Sequence, residues 1–401
     1  YHRMYQSFIA SQAAERSDRG IRFNEYVLQQ GEALVEFSLF ESKNSGLSID
    51  SASDPRFHQY LQWLAHQQLA RCQQNALGAG MRIGLMRDLA VGAVRNGAEV
   101  QNNAGLYCDK ATIGAPPDPL AEQGQNWDLP ALDPVALKNS SYRLFIELLR
   151  SNMTSCGGLR IDHILGLLRL WWCHPMIENG AYVYYPFEDL IAILCLESHR
   201  HSCLIVGEDM GTVPDELRRA MKSRAIYSNK LFYFEKGRDQ AFKNPSAHER
   251  DALLMVTNHD VPTLAGWWEG MDLRIRREIG LLDSERQLSD ALEQRNQHKA
   301  NLLGWLNTQQ LLPKSWGKSP VHKEFDFDLC SAIILANAKS QSRMVLFQLD
   351  DLQLIRKPVN IPGTYKQYPN WRRKQKLKTR NIFGNSKIQQ LMSLVQQERK
   401  L

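Results

Sequence analysis

Apolar positions along the first 80 residues recur at helical spacing. The clearest stretch runs from Arg56 to Leu77, where Tyr60, Leu61, Leu64, Leu69 and Cys72 fall on one face of a helix. From residue 81 the pattern changes. Short apolar runs of strand length recur at Arg82–Val91, Leu159–Asp162, Cys203–Glu208, Lys230–Phe234, Leu253–Thr257 and Met344–Leu349. Helix-like segments stand between them, such as Tyr142–Asn152, Glu188–His201 and Pro214–Lys222. Buried strands alternating with helices predict parallel pairing in a layered α/β fold.

Several of these runs carry a polar group at or near the C-terminal end: Asp88, Asp162, Glu208, His259 and Asp260. In a barrel of parallel strands that rim holds the catalytic groups. Six strands fall short of the eight that a closed barrel needs. Either two strands precede residue 1, which makes the chain the C-terminal part of a longer protein, or the sheet is open.

Composition narrows the choice little. With 43% hydrophobic and 23% charged residues the chain has the means to bury a core. No apolar run approaches the roughly 20 residues of a membrane span, so no membrane association is expected. The seven cysteines are scattered, with no Cys-x-x-Cys pair, which argues against a disulfide scaffold or a structural zinc site and for a reducing, cytoplasmic home. The net charge of +6 permits acidic partners without requiring them.

Three segments concentrate the chemistry: Gly158-Leu159-Arg160-Ile161-Asp162-His163, Val206-Gly207-Glu208-Asp209-Met210-Gly211 and Val256-Thr257-Asn258-His259-Asp260-Val261-Pro262. One strand–helix unit separates Asp162 from Glu208, and two separate Glu208 from Asp260, so all three acids can reach one rim. Any one of them alone reads as a structural ion pair. Three at this spacing, two of them beside histidine, favour chemistry. Cleavage of a glycosidic bond needs such a set, one carboxylate for the anomeric carbon and one carboxyl group to protonate the leaving oxygen. Arg160 and Asp162 share a strand face, and a neighbouring cation keeps a nucleophilic carboxylate ionised. Glu208, between Val206 and Met210, has the apolar surroundings that raise an acid's pKa.

These segments resemble the 4-α-glucanotransferases, or amylomaltases, of glycoside hydrolase family 77, most of all the bacterial maltodextrin enzymes. The resemblance extends to Arg87-Asp88-Leu89-Ala90-Val91-Gly92, Gly114-Ala115-Pro116-Pro117-Asp118, Gly124-Gln125-Asn126-Trp127 and Leu168-Arg169-Leu170-Trp171-Trp172. It continues through Gly180-Ala181-Tyr182-Val183, Asn360-Ile361-Pro362-Gly363-Thr364 and Asn370-Trp371-Arg372-Arg373. It implies a TIM (β/α)8-type barrel with helical insertions, here lacking its first two strands. Residues 1–80 would be a helical region inserted in or flanking the barrel, and 81–401 its main catalytic part, with an active-site loop at 105–130. It also implies retaining transfer of α-1,4-glucan segments between maltooligosaccharides, with no metal and no organic cofactor.

Carried over by motif, Asp162 would be the nucleophile, Glu208 the general acid/base and Asp260 the third acid. Arg160 would orient Asp162, His259 would bind the sugar, and Asp88 would support the same rim. Gln125 and Trp127 would lie on the covering loop, and Asn360 and Pro362 on a substrate-side loop. The alternatives are a catalytically incomplete glucan-binding fragment and an α-glucan hydrolase.

The family usually has Gly after the loop Trp, where this chain has Asp128. The segment from Trp172 to Gly180 is shorter than usual, and the family's N-terminal region is absent. Trp171 and Trp172 are expected to be supports, since adjacent residues cannot both face one groove; Trp267 and Trp268 are left undecided. Gly317-Lys318-Ser319 resembles the end of a phosphate loop, but Leu312 stands where its first Gly is needed. His199-Arg200-His201 reads as positive charge at a helix C-terminus. The basic stretch Lys366 to Arg380 reads as a solvated face beside the Trp371 motif, and no nucleic-acid partner is expected.

Overall fold

A computed structural model describes residues 1–11, 17–46, 48–117, 124–316 and 320–399, apart from the side chains of residues 177–179 and 320. Asp118 with residues 119–123 of the expected loop, and Gly317-Lys318-Ser319, lie outside the described residues. The chain divides into two compact units, Tyr1–Ile226 and Tyr227–Leu401.

The first unit opens with helices His2–Ala10, Asp18–Asn44 and Pro55–Gly78. The Ser17 and Asp54 side chains cap the second and third by accepting from the Gly20 and Arg56 N–H groups. Gly31, at φ 59° and ψ −145°, breaks the second helix. Their shared core is aromatic, with Tyr5, Phe23, Phe57, Tyr60 and Trp63 buried and Phe8 packed against them. The apolar face of the third helix is carried by Phe57, Tyr60, Trp63 and Leu64, while Cys72, expected on that face, is exposed. Toward its end, Gln73 donates to the Ile83 carbonyl at 3.0 Å and accepts from the Leu85 N–H at 2.6 Å. That clasp fixes the helix to the segment entering the first strand.

Among the described residues seven strands follow in this unit: β1 (Met86–Leu89), β2 (Tyr107–Ala115), β3 (Gln125–Leu132), β4 (Gly158–Ile161), β5 (Arg169–His174), β6 (Ile177–Tyr184) and β7 (Leu204–Gly207). Strands β1, β4 and β7 are parallel and in register, with Asp88 opposite Arg160 and Ile161 opposite Gly207. Helix Arg143–Met153 leads into β4 and helix Phe187–His201 into β7. Leu149, Leu159, Ile191, Leu194 and Leu217 close the core around them. The other four strands form an antiparallel sheet in the order β3-β2-β5-β6.

The second unit carries three more parallel strands, β8 (Tyr227–Leu231), β9 (Ala252–Met255) and β10 (Met344–Leu346), with β9 paired to both others. Helices Glu285–Thr308, Phe327–Ala338 and Ser386–Arg399 contribute to its core. Trp267 and Trp268 are buried in that core, with Trp268 against Trp316, so both are structural.

All six runs expected as parallel strands contain a strand, shorter than the run at β1, β7, β9 and β10 and displaced toward the N-terminus at β4 and β8. Burial continues past the strand ends: Phe232 and Tyr233 are buried in a 3₁₀ turn after β8, and Val256 and Thr257 are buried beyond β9. The antiparallel sheet was not expected, and its strands β2 and β3 occupy much of the stretch read as a loop. Among the described residues no helix is long and apolar enough to cross a membrane.

Strands β2 and β3 approach closely at Gly114, which is paired with Asn126. A Cβ there would sit 1.9 Å from the Gln125 carbonyl oxygen, so the ladder itself would have to part. Gly114→Ala is expected to destabilise the protein by about 1–3 kcal/mol, read as a lower Tm. An unchanged Tm would mean that the strands are not packed this tightly.

Candidate active site

Parallel strands in register present their C-terminal ends on one edge, and in the first unit three acids stand there. Asp88 lies within β1, and Asp162 and Glu208 are the first residues past β4 and β7. The ladder continues one step beyond the strands: the Asp162 N–H donates to the Leu89 carbonyl and the Glu208 N–H to the Ile161 carbonyl, both at 2.9 Å.

Arg160 ties two of the acids together. Leu159 and Ile161 face the core, so Arg160 and Asp162 share the opposite face. The Arg160 side chain is only 3% exposed. Its Nη1 donates to Asp88 Oδ1 at 2.8 Å, and its Nη2 lies 3.1 Å from Asp162 Oδ1.

Glu208 is held differently. Its two carboxyl oxygens accept backbone N–H groups, Oε2 from His163 at 3.0 Å and Oε1 from Met210 at 2.8 Å. Burial pushes its pKa up to about 7, and the negative charge of Asp162 adds to the rise against the opposing pull of the two N–H groups and Arg160. The edge therefore holds an acid protonated up to neutral pH beside a carboxylate in an ion pair with arginine, which is the division of labour that glycosidic chemistry requires.

Two more of the expected residues join this set. Gln125 and Trp127 alternate along β3, and the Trp127 indole donates to Gln125 Oε1 at 3.2 Å. The Trp127 ring meets the His163 ring edge to face, with centroids 5.2 Å apart. Strands β2 and β3 thus bring the expected loop residues to the acids. Trp171 packs edge to face on Tyr182, and Trp172 donates to the Tyr185 hydroxyl at 3.3 Å, so both act as supports.

The second unit holds its own cluster past β9. The Asp260 N–H donates to Asn258 Oδ1 at 3.0 Å, which closes the turn. The Asp260 carboxylate takes His259 Nε2 at 3.1 Å on one oxygen and the Asn360 amide at 3.2 Å on the other. The His259 ring lies 5.1 Å from that of Trp371, which is 62% exposed. Asn360 of the expected substrate-side loop meets Asp260, whereas Pro362 is exposed farther along the same loop. Asn370 braces that loop by accepting from the Ile361 N–H at 3.0 Å and donating to the Thr364 carbonyl at 2.9 Å.

Sequence reasoning missed two residues. His163 counted only as the histidine beside Asp162 and carried no role of its own, whereas the structure makes it a contact of both Glu208 and Trp127. Asp351 is fully buried beneath the Asp260 turn, accepting from the Thr257 hydroxyl and from the Leu264 N–H at 2.8 Å. Its only signal was an Asp pair inside an apolar stretch.

Known proteins resemble this chain along most of its length. A family model described as 4-alpha-glucanotransferase matches residues 43–379. The 4-alpha-glucanotransferase of Haemophilus influenzae is 39% identical over 346 residues, 86% of this chain and 49% of that protein. The enzyme of the same name from Mycobacterium tuberculosis is 36% identical over 322 residues, 79% of this chain and 43% of that protein. The chain thus spans about half the length of these curated relatives. Among solved structures, the amylomaltase from Corynebacterium glutamicum superposes with a TM-score of 0.87 at 28% identity, over 96% of this chain and 57% of that one. That likeness gives the chain the TIM-barrel-like α/β fold of amylomaltase. The amylomaltase from Streptococcus agalactiae in complex with acarbose has a TM-score of 0.72 at 17% identity, over 98% of this chain and 77% of that one, and shows the same fold.

Replacing Arg160 tests the Asp88–Arg160–Asp162 bridge directly. Arg160→Met keeps the packing and leaves the two acids facing each other without their cation. The acids are 44% and 32% exposed, so water offsets part of the loss. A destabilisation of about 1–3 kcal/mol is expected in urea denaturation; a variant as stable as the wild type would remove the bridge from the account.

Proposed function

Since the chain belongs to the 4-alpha-glucanotransferase family, we propose that it performs retaining transfer of α-1,4-glucan segments from a donor maltooligosaccharide to another sugar. Asp162 attacks the anomeric carbon while Glu208 protonates the departing glycosidic oxygen, leaving a glucosyl ester on Asp162. Glu208, now ionised, takes the proton of the incoming sugar hydroxyl, whose oxygen displaces Asp162. Asp260 is the third acid and binds ring hydroxyls of the reacting glucose, with His259 and Asn360 holding its carboxylate. Arg160 orients Asp162, and Asp88 completes the bridge.

Transfer rather than hydrolysis requires that a sugar hydroxyl reach the ester before water does. Trp127 supplies an aromatic face of the kind that lies flat on sugar C–H groups, and Gln125 fixes the plane of its ring. Pro362 is assigned to the substrate-side loop on the family motif. The free thiols of all seven cysteines suit the reducing cytoplasm, where we place the protein.

The single observation that carries this reading is the pairing of a raised-pKa Glu208 with an Asp162 bound to arginine on neighbouring strand ends. With maltotriose, the expected products are glucose and longer oligomers with little net gain of reducing ends. Reducing ends rising in step with cleavage would make the protein an α-glucan hydrolase, and binding without products a glucan-binding protein. Asp162→Asn is expected to abolish turnover while leaving glucan affinity nearly intact; full activity would dismiss it as the nucleophile.

The pH profile tests Glu208 separately. Its folded pKa lies above the usual value, so the protonated form needed in the first step is present below about 7 and lost above it. Accordingly kcat/KM for the donor should fall toward a tenfold loss per pH unit above that point. A profile flat to pH 9 would assign the proton to another group.

A further inference from the structure

We infer that His163 is a positioning residue that couples the acid/base carboxyl of Glu208 to the sugar platform at Trp127, so that acceptor binding depends on it. The inference rests on the glucan-transfer reading above. His163 follows Asp162 with φ 47° and ψ 56°, a left-handed conformation that few non-glycine residues adopt, His, Asn and Asp more readily than most. That conformation turns the chain back over β7. The His163 N–H donates to Glu208 Oε2 at 3.0 Å, and the next N–H, of Ile164, donates to the Glu208 carbonyl at 3.2 Å.

The turn is locked from below. A Cβ on Gly207 would come within 2.5 Å of Ile164 Cδ1, so the Ile164 side chain lies directly on the backbone that presents Glu208. From the same residue the His163 ring extends the other way, to the Trp127 indole, at an interplanar angle of 84°. The other face of the problem, Trp127 itself, is fixed by Gln125 and by packing against the core of the first unit. One residue thus touches the acid through its backbone and the aromatic platform through its side chain.

The ring contact is between neutral groups, because burial lowers the His163 pKa to about 4. Its contribution is therefore expected to be constant across neutral pH. The groups that set the ionisation of Glu208 are Asp162, Arg160 and the Met210 and His163 N–H groups, none of them the imidazole.

His163→Asn separates the two contacts. Asn tolerates the left-handed backbone, so the N–H to Glu208 is kept and the ring is lost. The apparent KM for glucose as acceptor should rise by about 2- to 10-fold, the range of an aromatic pair, with the basic limb of the pH profile unmoved. In a Trp127→Ala background the same substitution should change acceptor KM less than about twofold, since His163 acts through the indole. An equal factor in both backgrounds, no factor in either, or a shifted basic limb overturns the proposal. His163→Gly serves as the second variant if Asn impairs folding, because glycine also accepts this conformation.

The same cycle read by calorimetric binding of maltohexaose keeps the two readings apart. A chain that transfers glucan but shows no coupling loses this proposal alone. A chain that binds with coupling but yields no products loses the transfer reading alone. A chain that binds no maltohexaose loses both.

Discussion

A cation buried at the edge of a parallel sheet is the constraint on which the first unit's site depends. Water contributes almost nothing to Arg160, so its charge must be satisfied by protein, and Asp88 and Asp162 are the groups that satisfy it. Strand parity then does the rest. With Leu159 and Ile161 committed to the core, Arg160 and Asp162 have only one face left, and the register with β1 places Asp88 opposite the arginine. Glu208 enters the same edge with no cation of its own. It is held by backbone N–H groups, which restrain its position without cancelling the cost of ionising it under cover. Two carboxyl groups one strand apart are thereby kept in different states by the different ways in which they are bound.

How much of this was legible depends on which physical signal each element leaves in sequence. The central parallel strands β4, β7 and β9 are largely buried, and all six parallel strands read as apolar runs, so all six were found; the acids stood out because charge interrupts those runs at their ends. Their true bounds were hidden, since burial continues past the end of β9 at Val256 and Thr257. The antiparallel sheet left a weaker trace. Strand β3 contains Pro130, strand β2 carries Asp109 and Lys110 at its exposed end, and the pairing slips between Cys108 and Thr112, so no clean alternation survives. The helical face at residues 56–77 was found but drawn too long, because an apolar residue such as Cys72 near a helix end need not be buried.

Asp128 shows how a departure from a family pattern acquires a reason once the backbone is known. The resembled enzymes usually have glycine there, and the residue sits at φ 57°, where glycine carries no steric penalty. Aspartate is among the few side chains that tolerate this region, and Asn126 Oδ1 accepts the Asp128 N–H at 2.9 Å, which stabilises the turn. The conformation is thus retained by a different residue. What it serves is the direction of Trp127, one position earlier, whose indole must reach both Gln125 and His163. The same logic explains His163 itself, another non-glycine residue in the left-handed region.

The second unit presents its acid through a histidine and an amide rather than an arginine bridge, and the contrast shows why the two solutions differ. Asp260 is turned by the Asn258 side chain and flanked by His259 and Asn360, while the strand end beneath it is tied down by neutral hydrogen bonds. Gln348 donates to the Asn258 carbonyl at 2.8 Å and to the Thr257 hydroxyl at 2.9 Å, and Thr257 donates onward to Asp351. Asp351 is fully buried, and burial raises its pKa to about 6 despite the donors around it. An ion at that depth is tolerated only because it accepts from Thr257 and the Leu264 N–H at once. In the first unit a charge pair reaches the candidate edge itself and fixes the carboxylate proposed as nucleophile. In the second, the buried charge stays beneath the edge and only stiffens the turn, leaving the Asp260 carboxylate to be shaped by its histidine and amide neighbours. An acid that attacks carbon needs a fixed direction. One proposed to accept hydroxyl groups from a ring changing shape is served by the side-chain partners His259 and Asn360, without an arginine bridge.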